Sequence, residues 1–261
     1  MYKSFKLSVL TPRIFQDANT KIGTRLNESN KMVVRDSLEP FIGIDGVVDG
    51  SKLQEHWFPK IKADVFISHS HQDEKTALAL AGWLQRNFKL KPFIDSCVWG
   101  FADQLLREID KGCLNKNRKT YNYQKRNGTT SHVHMMLSTA LGKMIDSTEC
   151  LIFLNTPQSI TTKNAVDTTQ SPWLFAELSM ASIIRRTAPI RPRIISEKFT
   201  TEQDQKEITS AHKFQYRVDL TPMECINCTT LKRWREMCSA SEARHPLDVL
   251  YDMPHKQRRR C

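Results

Sequence analysis

The sequence lacks any apolar run that approaches the ~18 residues needed to span a bilayer. Its first residues, Met1-Tyr-Lys-Ser-Phe-Lys, also lack the apolar core of a secretory signal. These two absences predict a cytoplasmic protein with no membrane partner. Repeats and low-complexity segments are absent too, and 39% hydrophobic with 26% charged residues is typical of a soluble globular chain. The 261 residues suffice for one large domain, or for one domain with extensions.

The number and spacing of the cysteines argue against a disulfide-rich protein and against a zinc finger. Seven cysteines, an odd number scattered along the chain, do not form a disulfide framework, and we expect free thiols. Cys225-Ile-Asn-Cys228 is a CxxC, but no second pair of ligands completes a zinc site at the spacing of the common fingers. The GxGxxG fingerprint of dinucleotide cofactor sites is missing as well. We therefore expect neither a metal nor a bound cofactor.

Acidic residues are absent between Lys111 and Ile145, although the same stretch contains seven basic residues and the chain carries a net charge of +11. This charge favours anionic partners such as nucleotide phosphates or an acidic protein surface, with a solvated basic face as the alternative. No RNA-recognition or helix-turn-helix signature accompanies the charge, so nucleic acid is not the expected partner. Residues 112–131 are polar, basic and aperiodic, which predicts an inserted loop, either solvated or in contact with a partner.

The most informative stretch is residues 64–74, Asp-Val-Phe-Ile-Ser-His-Ser-His-Gln-Asp-Glu. Residues 64–67 form a β-branched and aromatic run that is typical of one buried strand. Hydroxyl and imidazole side chains follow at 68–71, and from Asp73 the apolar residues recur with a period near 3.6, which predicts a helix. Ligands of open α/β sheets bind beyond the carboxyl ends of the strands, so this turn is a candidate binding site.

Alternation of short apolar strands with helices continues along the chain. Strands are predicted near 64–67, 90–95, 150–154, 193–195 and 214–218, and helices near 51–57, 73–88, 102–111, 132–147, from 171, 229–237 and 246–251. This pattern predicts an α/β fold with a five-stranded parallel sheet, helices on both faces and the flavodoxin-like strand order 2-1-3-4-5. Residues 1–60 are then an N-terminal extension, 61–222 the sheet domain, and 223–261 a helical extension with a basic tail.

The predicted strand order reverses between the first and third strands, and both end in polar residues. The third strand ends at Asn155, and the helix after it begins with Ser171 as N-cap and Pro172 at its first position. Trp173 and Glu177 are four residues apart and share one face of that helix. A carboxylate beside an indole in a cleft can bind ligand hydroxyls while the ring stacks on a planar group. A core tryptophan beside a solvated glutamate is the alternative.

Over roughly 64–220 the chain resembles Toll/interleukin-1 receptor (TIR) domains. The resemblance rests on residues 64–70, on Phe93-Ile-Asp95 through Gly100 in the position of the BB loop of that family, and on Ser171-Pro-Trp173-x-x-x-Glu177 in the position of its catalytic helix. It is most similar to the NAD-cleaving TIR proteins of bacterial antiphage systems such as Thoeris. This resemblance implies NAD⁺ as a substrate, a homo-oligomer, and an effector protein that senses the nucleotide product.

On this interpretation Glu177 is the catalytic residue, which holds the ribose hydroxyls and stabilises the positive charge that develops on the ribose. The predicted substrate-binding residues are Ser68, His69, Ser70, Asp95, Trp99, Asn155, Ser171 and Trp173. Two other functions stay open. One is a non-catalytic TIR interaction module, and the other is an enzyme similar to nucleoside deoxyribosyltransferases, which also use a carboxylate against a glycosidic bond.

Overall fold

The computed structural model describes residues 1–8, 15, 17–31, 39–44, 47–115, 120–163, 166–189, 215–240 and 244–254, without the side chains of 18, 31, 39, 97–101, 162–163 and 166. Its strands are β1 (Lys3–Ser8), β2 (Val65–Ser68), β3 (Pro92–Ile94), β4 (Cys150–Asn155), β5 (Thr161–Lys163), β6 (Val166–Thr169), β7 (Tyr216–Arg217) and β8 (Glu224–Asn227). Its α-helices are α1 (Asp17–Lys31), α2 (Gly50–Trp57), α3 (Glu74–Phe88), α4 (Ser96–Asp110), α5 (Tyr123–Ser147), α6 (Pro172–Ile183), α7 (Cys228–Ala240) and α8 (Pro246–Asp252). Among the described helices, none combines the length and the apolar character needed to cross a bilayer.

Five strands form a central sheet in the order β3-β2-β4-β1-β8, and every neighbouring pair is parallel. The predicted α/β class with a five-stranded parallel sheet is therefore confirmed. The first three positions also follow the predicted order 2-1-3. Strands β5, β6 and β7 form a separate antiparallel sheet.

The fourth and fifth positions of the sheet differ from the prediction. Strand β1, from the stretch expected to be an extension, lies between β4 and β8. The predicted strand at 214–218 is wrong for the central sheet, because Tyr216–Arg217 pairs with β6 instead. The predicted strand at 193–195 lies outside the described residues. The sequence of β1 does not predict an interior strand, because Lys3 and Lys6 are unusual residues there. In the structure, Lys3 forms an ion pair of 2.8 Å with Glu224 of β8.

Side chains of the central strands alternate between two separate cores, as the two-residue period of a strand requires. Phe66, Phe93 and Phe153 point to one face and pack beneath α2, α4, α5 and α6. Val65, Ile67 and Ile152 point to the other face and pack beneath α3, α7 and α8. The sheet is thus covered by helices on both faces, as predicted.

Helix α1 packs directly on α3 through two glycines. A Cβ atom on Gly82 of α3 would lie 1.8 Å from the carbonyl oxygen of Asn19, and one on Gly23 of α1 would lie 1.9 Å from the carbonyl oxygen of Leu78. Any larger residue at either position would force the helices apart. This contact fixes α3, whose first residues follow the polar turn after β2.

Two predicted loops are helical. Helix α4 begins at Ser96, so the expected loop 96–100 is its first turn and a half. Helix α5 begins at Tyr123, so almost half of the expected loop 112–131 is helix. Asn122 supplies the signal that the sequence analysis missed, because its side chain accepts a hydrogen bond from the backbone N–H of Lys125 at 3.0 Å and caps the helix.

The cysteines only partly agree with the expectation of free thiols. Cys113, Cys150, Cys228 and Cys238 keep their thiols and form no disulfide. Cys225 takes part in a disulfide, so for this residue the expectation is wrong. It therefore does not form a dithiol with Cys228, which removes the CxxC from consideration as a zinc site.

Candidate functional site

The residues at the carboxyl edge of the sheet follow from strand geometry. Ser68 ends β2 on the same face as Phe66, and Asp95 follows β3 on the same face as Phe93, so both side chains point toward α6. On α6, Glu177 lies on the buried stripe formed with Leu174, Leu178 and Ala181. Two strand ends and one helix therefore bring three polar side chains together.

Ser68 and Glu177 form the first contact of this site. The hydroxyl of Ser68 donates to Oε2 of Glu177 at 2.6 Å, and both side chains are fully buried. This contact joins residues 109 apart in the sequence. It sits where the sheet order reverses between β2 and β4, which is the usual ligand site of an open parallel sheet.

Asp95 and His69 form the second contact. Nδ1 of the His69 imidazole lies 2.5 Å from Oδ1 of Asp95, and the backbone N–H of His69 donates to Oδ2 at 3.2 Å. Neither side chain is exposed, so Asp95 is held from two sides within the protein.

The two carboxyl groups meet each other. Glu177 and Asp95 hydrogen-bond through their side chains, which requires that one of them carries a proton. Burial raises the pKa of Asp95 to about 7. Burial and the neighbouring Asp95 raise the pKa of Glu177 well above its ordinary range, although the hydroxyl of Ser68 opposes this rise. The pair therefore holds at least one proton at neutral pH.

These contacts define one arrangement of protons. Burial lowers the pKa of His69, so its imidazole is neutral at neutral pH, and its Nδ1 lies against Oδ1 of Asp95. Asp95 is then the acceptor for the backbone N–H of His69 and for protonated Glu177, while Ser68 donates to Oε2 of Glu177. The described residues place no lysine or arginine against either carboxyl group.

Two further contacts at this edge were missed from the sequence. The hydroxyl of Thr156, just after β4, donates to Oδ2 of Asp73 at 2.5 Å. The hydroxyl of Ser96 donates to Glu74 at 3.3 Å. Both contacts tie the start of α3 to a neighbouring strand end. Extending the rule of polar strand ends by one residue past Asn155 would have found Thr156.

The other predicted binding residues lie outside this group. Ser70 is buried before the 3-10 turn His71–Asp73. The amide of Asn155 donates to the hydroxyl of Ser8 at 3.4 Å. Ser171 caps α6 by accepting from the backbone N–H of Leu174 at 3.2 Å.

Trp173 is half-buried, and its ring meets the ring of His134 edge-on at 5.2 Å between centroids. The side chain of Trp99 lies outside the described residues. Of the predicted set, the structure therefore joins Ser68, His69, Asp95 and Glu177 into one connected group.

One group among the described residues has the donor types of a metal site. Ligand atoms of Glu149, His245 and Asp248 lie within 4.8 Å of one another. Glu149 precedes β4 and the other two begin α8, so this group lies at the amino edge of the sheet, away from Glu177. This group of three residues takes no part in the contacts around Glu177.

Comparison with known proteins adds nothing to this picture, because no protein-family model, no curated protein and no solved structure matches the chain. The function must therefore be inferred from the chemistry of the site, a buried and proton-sharing pair of carboxyl groups at the carboxyl edge of a parallel sheet.

Proposed function

We propose that this protein cleaves the bond between nicotinamide and ribose in NAD⁺, with Glu177 as its catalytic carboxylate. One observation carries the proposal: Glu177 is fully buried at the carboxyl edge of the sheet and is held by Ser68 where the strand order reverses. A buried carboxyl group at a ligand site is costly to keep there, and such groups are typical of catalytic positions.

The chemistry needs little beyond this carboxylate. Nicotinamide leaves as a neutral molecule, so no side chain has to protonate it. The barrier lies in forming an oxocarbenium-like ribose, and a carboxylate next to that ring stabilises the developing charge. Ionised Glu177 supplies this charge, and Ser68 orients it through the 2.6 Å hydrogen bond. Transfer of the ribosyl group to water gives ADP-ribose, and transfer to another part of the same molecule gives a cyclic product.

The resemblance to antiphage TIR proteins supports a biological setting for this reaction. We propose that the protein acts in the cytoplasm and either depletes NAD⁺ or makes an ADP-ribose-derived signal for an effector protein. A homo-oligomeric active form belongs to the same proposal.

The test is incubation of the purified full chain with NAD⁺, in the absence and presence of lysate from phage-infected cells, with products identified by mass spectrometry. We expect release of nicotinamide by the wild-type protein and none by Glu177→Gln at the same concentration. Glu236→Gln, on the exposed surface of α7, is the matched control and should retain activity.

Parallel reactions with neutral purine and pyrimidine nucleosides separate the rival enzyme class. Turnover of nucleosides without turnover of NAD⁺ would contradict the proposal in favour of a deoxyribosyltransferase-like enzyme. Full NAD⁺ turnover by a folded Glu177→Gln protein would move the chemistry to another residue.

A further inference from the structure

Asp95 does more than line the site. It is fully buried, it receives two contacts from His69 at 2.5 and 3.2 Å, and it hydrogen-bonds Glu177. Its Oδ2 accepts from the backbone N–H of His69, and its Oδ1 lies against the His69 ring inside the protein rather than at an exposed edge where a substrate would bind. These contacts suit a role exerted through Glu177.

We propose that Asp95 is a positioning residue that keeps a proton on Glu177 until a cationic substrate displaces it. This inference rests on the proposed function, and it adds both the substrate class and the way in which the site admits it. The class is N-ribosides whose leaving base carries a positive charge, of which the nicotinamide riboside portion of NAD⁺ is one.

The charge balance of the site supports the exchange. With one proton between them, Asp95 and Glu177 carry a single negative charge, and the described residues provide no lysine or arginine to neutralise a second one. When a pyridinium ring enters, its positive charge replaces that of the proton. The O–H bond of Glu177 breaks, the proton passes to solvent, and Glu177 becomes the carboxylate that the reaction needs. The net charge of the occupied site stays unchanged.

Other titratable groups surround the pair without taking over this role. His69 and Asp73 face it from the turn after β2, and Glu74 faces it from the start of α3; all three lie close enough for their charges to interact, because Asp73 and Glu74 both act on His69. Asp73 and Glu74 add negative potential beside His69, which favours a cation further. After burial, Asp95 is the largest cause of the raised pKa of Glu177.

Selectivity follows from the same balance. A neutral nucleoside brings no charge to replace the proton, so Glu177 stays protonated and cannot stabilise a developing oxocarbenium ion. Discrimination between cationic and neutral leaving bases then resides in the carboxyl pair and needs no contact with the base itself.

The direct test measures the titration of Glu177 without substrate, by NMR of protein labelled with ¹³C at glutamate and aspartate carboxyl groups. Asp95→Asn keeps the shape of the side chain but removes its charge, and should lower the titration midpoint of Glu177 by about one pH unit or more. Ser68→Ala removes a donor that favours the ionised form and should raise the midpoint. Asp73→Asn removes a nearby carboxyl group that accepts from Thr156 instead of contacting Glu177, and it should change the midpoint less than Asp95→Asn does.

A purely structural role for Asp95 would not produce shifts of opposite sign in these two variants. An unchanged or raised midpoint in Asp95→Asn would overturn the inference. If Asp95→Asn fails to fold, the Ser68→Ala variant provides the test. A lowered or unchanged midpoint of Glu177 in Ser68→Ala would contradict the arrangement in which Ser68 and Asp95 act on Glu177 in opposite directions.

Binding provides the second readout. Isothermal titration calorimetry of a non-cleavable carbocyclic NAD⁺ analogue, in buffers of different ionisation enthalpy, should show release of about one proton per ligand by the wild type at pH 7. Glu177→Gln should release none. Ligand binding without proton release by the wild type would contradict the exchange.

The two proposals fail in different ways. If the wild type cleaves no NAD⁺ at any pH, the proposed function is wrong while the NMR titration still reports on Asp95. If NAD⁺ is cleaved but the acidic limb of the pH profile of kcat/KM is the same in Asp95→Asn as in the wild type, the function stands and the inference about Asp95 is wrong.

Discussion

Replacing Asp95 by asparagine should change how the stability of the protein depends on pH. Burial raises the pKa of Asp95 from 3.8, its ordinary value, to about 7. The folded protein therefore holds this proton more tightly than the unfolded chain does. The resulting stabilisation is complete below the unfolded pKa and is lost as the pH rises through the folded pKa. Asparagine cannot titrate, so the variant lacks this contribution.

The magnitude follows from the size of the shift. A rise from 3.8 to about 7 is roughly three pH units, and at 1.36 kcal/mol per unit the unfolding free energy of the wild type falls by roughly 4 kcal/mol across that range. This is a large part of the ~5–15 kcal/mol by which native proteins are stable. For a chain of this size, 1 kcal/mol corresponds to ~2–4 °C in Tm. From pH 4 to pH 8, the Tm of the variant minus the Tm of the wild type should therefore rise by roughly 8–16 °C.

The assay is urea unfolding of both proteins at several pH values, followed by far-UV circular dichroism, with Tm measured in parallel. Using the difference between the two proteins removes the titration of groups that do not interact with Asp95; the lower pKa of Glu177 in the variant changes the difference in the same direction. Asp73→Asn is the control for loss of a carboxyl group from the same edge of the sheet. Curves for wild type and Asp95→Asn that run parallel from pH 4 to pH 8 would refute the reasoning.

Three further changes test the fold around the site. Gly82→Ala should destabilise the protein strongly, because its Cβ would overlap a backbone carbonyl of α1. Gly128→Ala in α5 meets no atom within 4 Å and should stabilise the protein by up to about 1 kcal/mol, so thermal unfolding distinguishes the two variants. Trp173→Ala should cost somewhat less than the ~3–5 kcal/mol of a fully buried tryptophan, and more than His134→Ala, which removes only the ring partner; an unchanged Tm would identify Trp173 as a surface for ligands. A truncated protein of residues 61–222 lacks β1 and β8 and should show no cooperative unfolding transition, whereas a sharp transition would show that these residues fold alone.

The half of the fold nearest to the site could be predicted from sequence because local patterns determine it. The β-branched and aromatic run at 64–67, followed at once by polar side chains and an amphipathic helix, predicts a strand, a turn and α3 in the right places. The cap Ser171 with Pro172 likewise predicts the start of α6. The two-residue period of the strands then brings Ser68 and Asp95 to the face of α6, where Glu177 lies.

The remainder depended on contacts that no local pattern reports. Strand β1 carries lysines, and its position inside the sheet depends on β8, more than 200 residues later. The hydrogen bond between Asp95 and Glu177 requires the actual separation of two elements, which spacing in the sequence does not give. Helix α5 was placed too late because polar residues fill its first turns, where propensity is weak and only the cap at Asn122 marks the start.

The position of β1 also sets the order of events when the chain is made. Phe5 pairs with Ile152 on one side and Glu224 on the other, so its neighbours leave the ribosome about 150 and 220 residues after it does. Until then the apolar side chains of Phe5 and Leu7 have no sheet to enter. At roughly 5–20 residues per second, the first strand waits on the order of ten seconds or more for its last partner. Contacts of such high sequence separation are slow to form, so the nascent chain must keep this strand from pairing elsewhere.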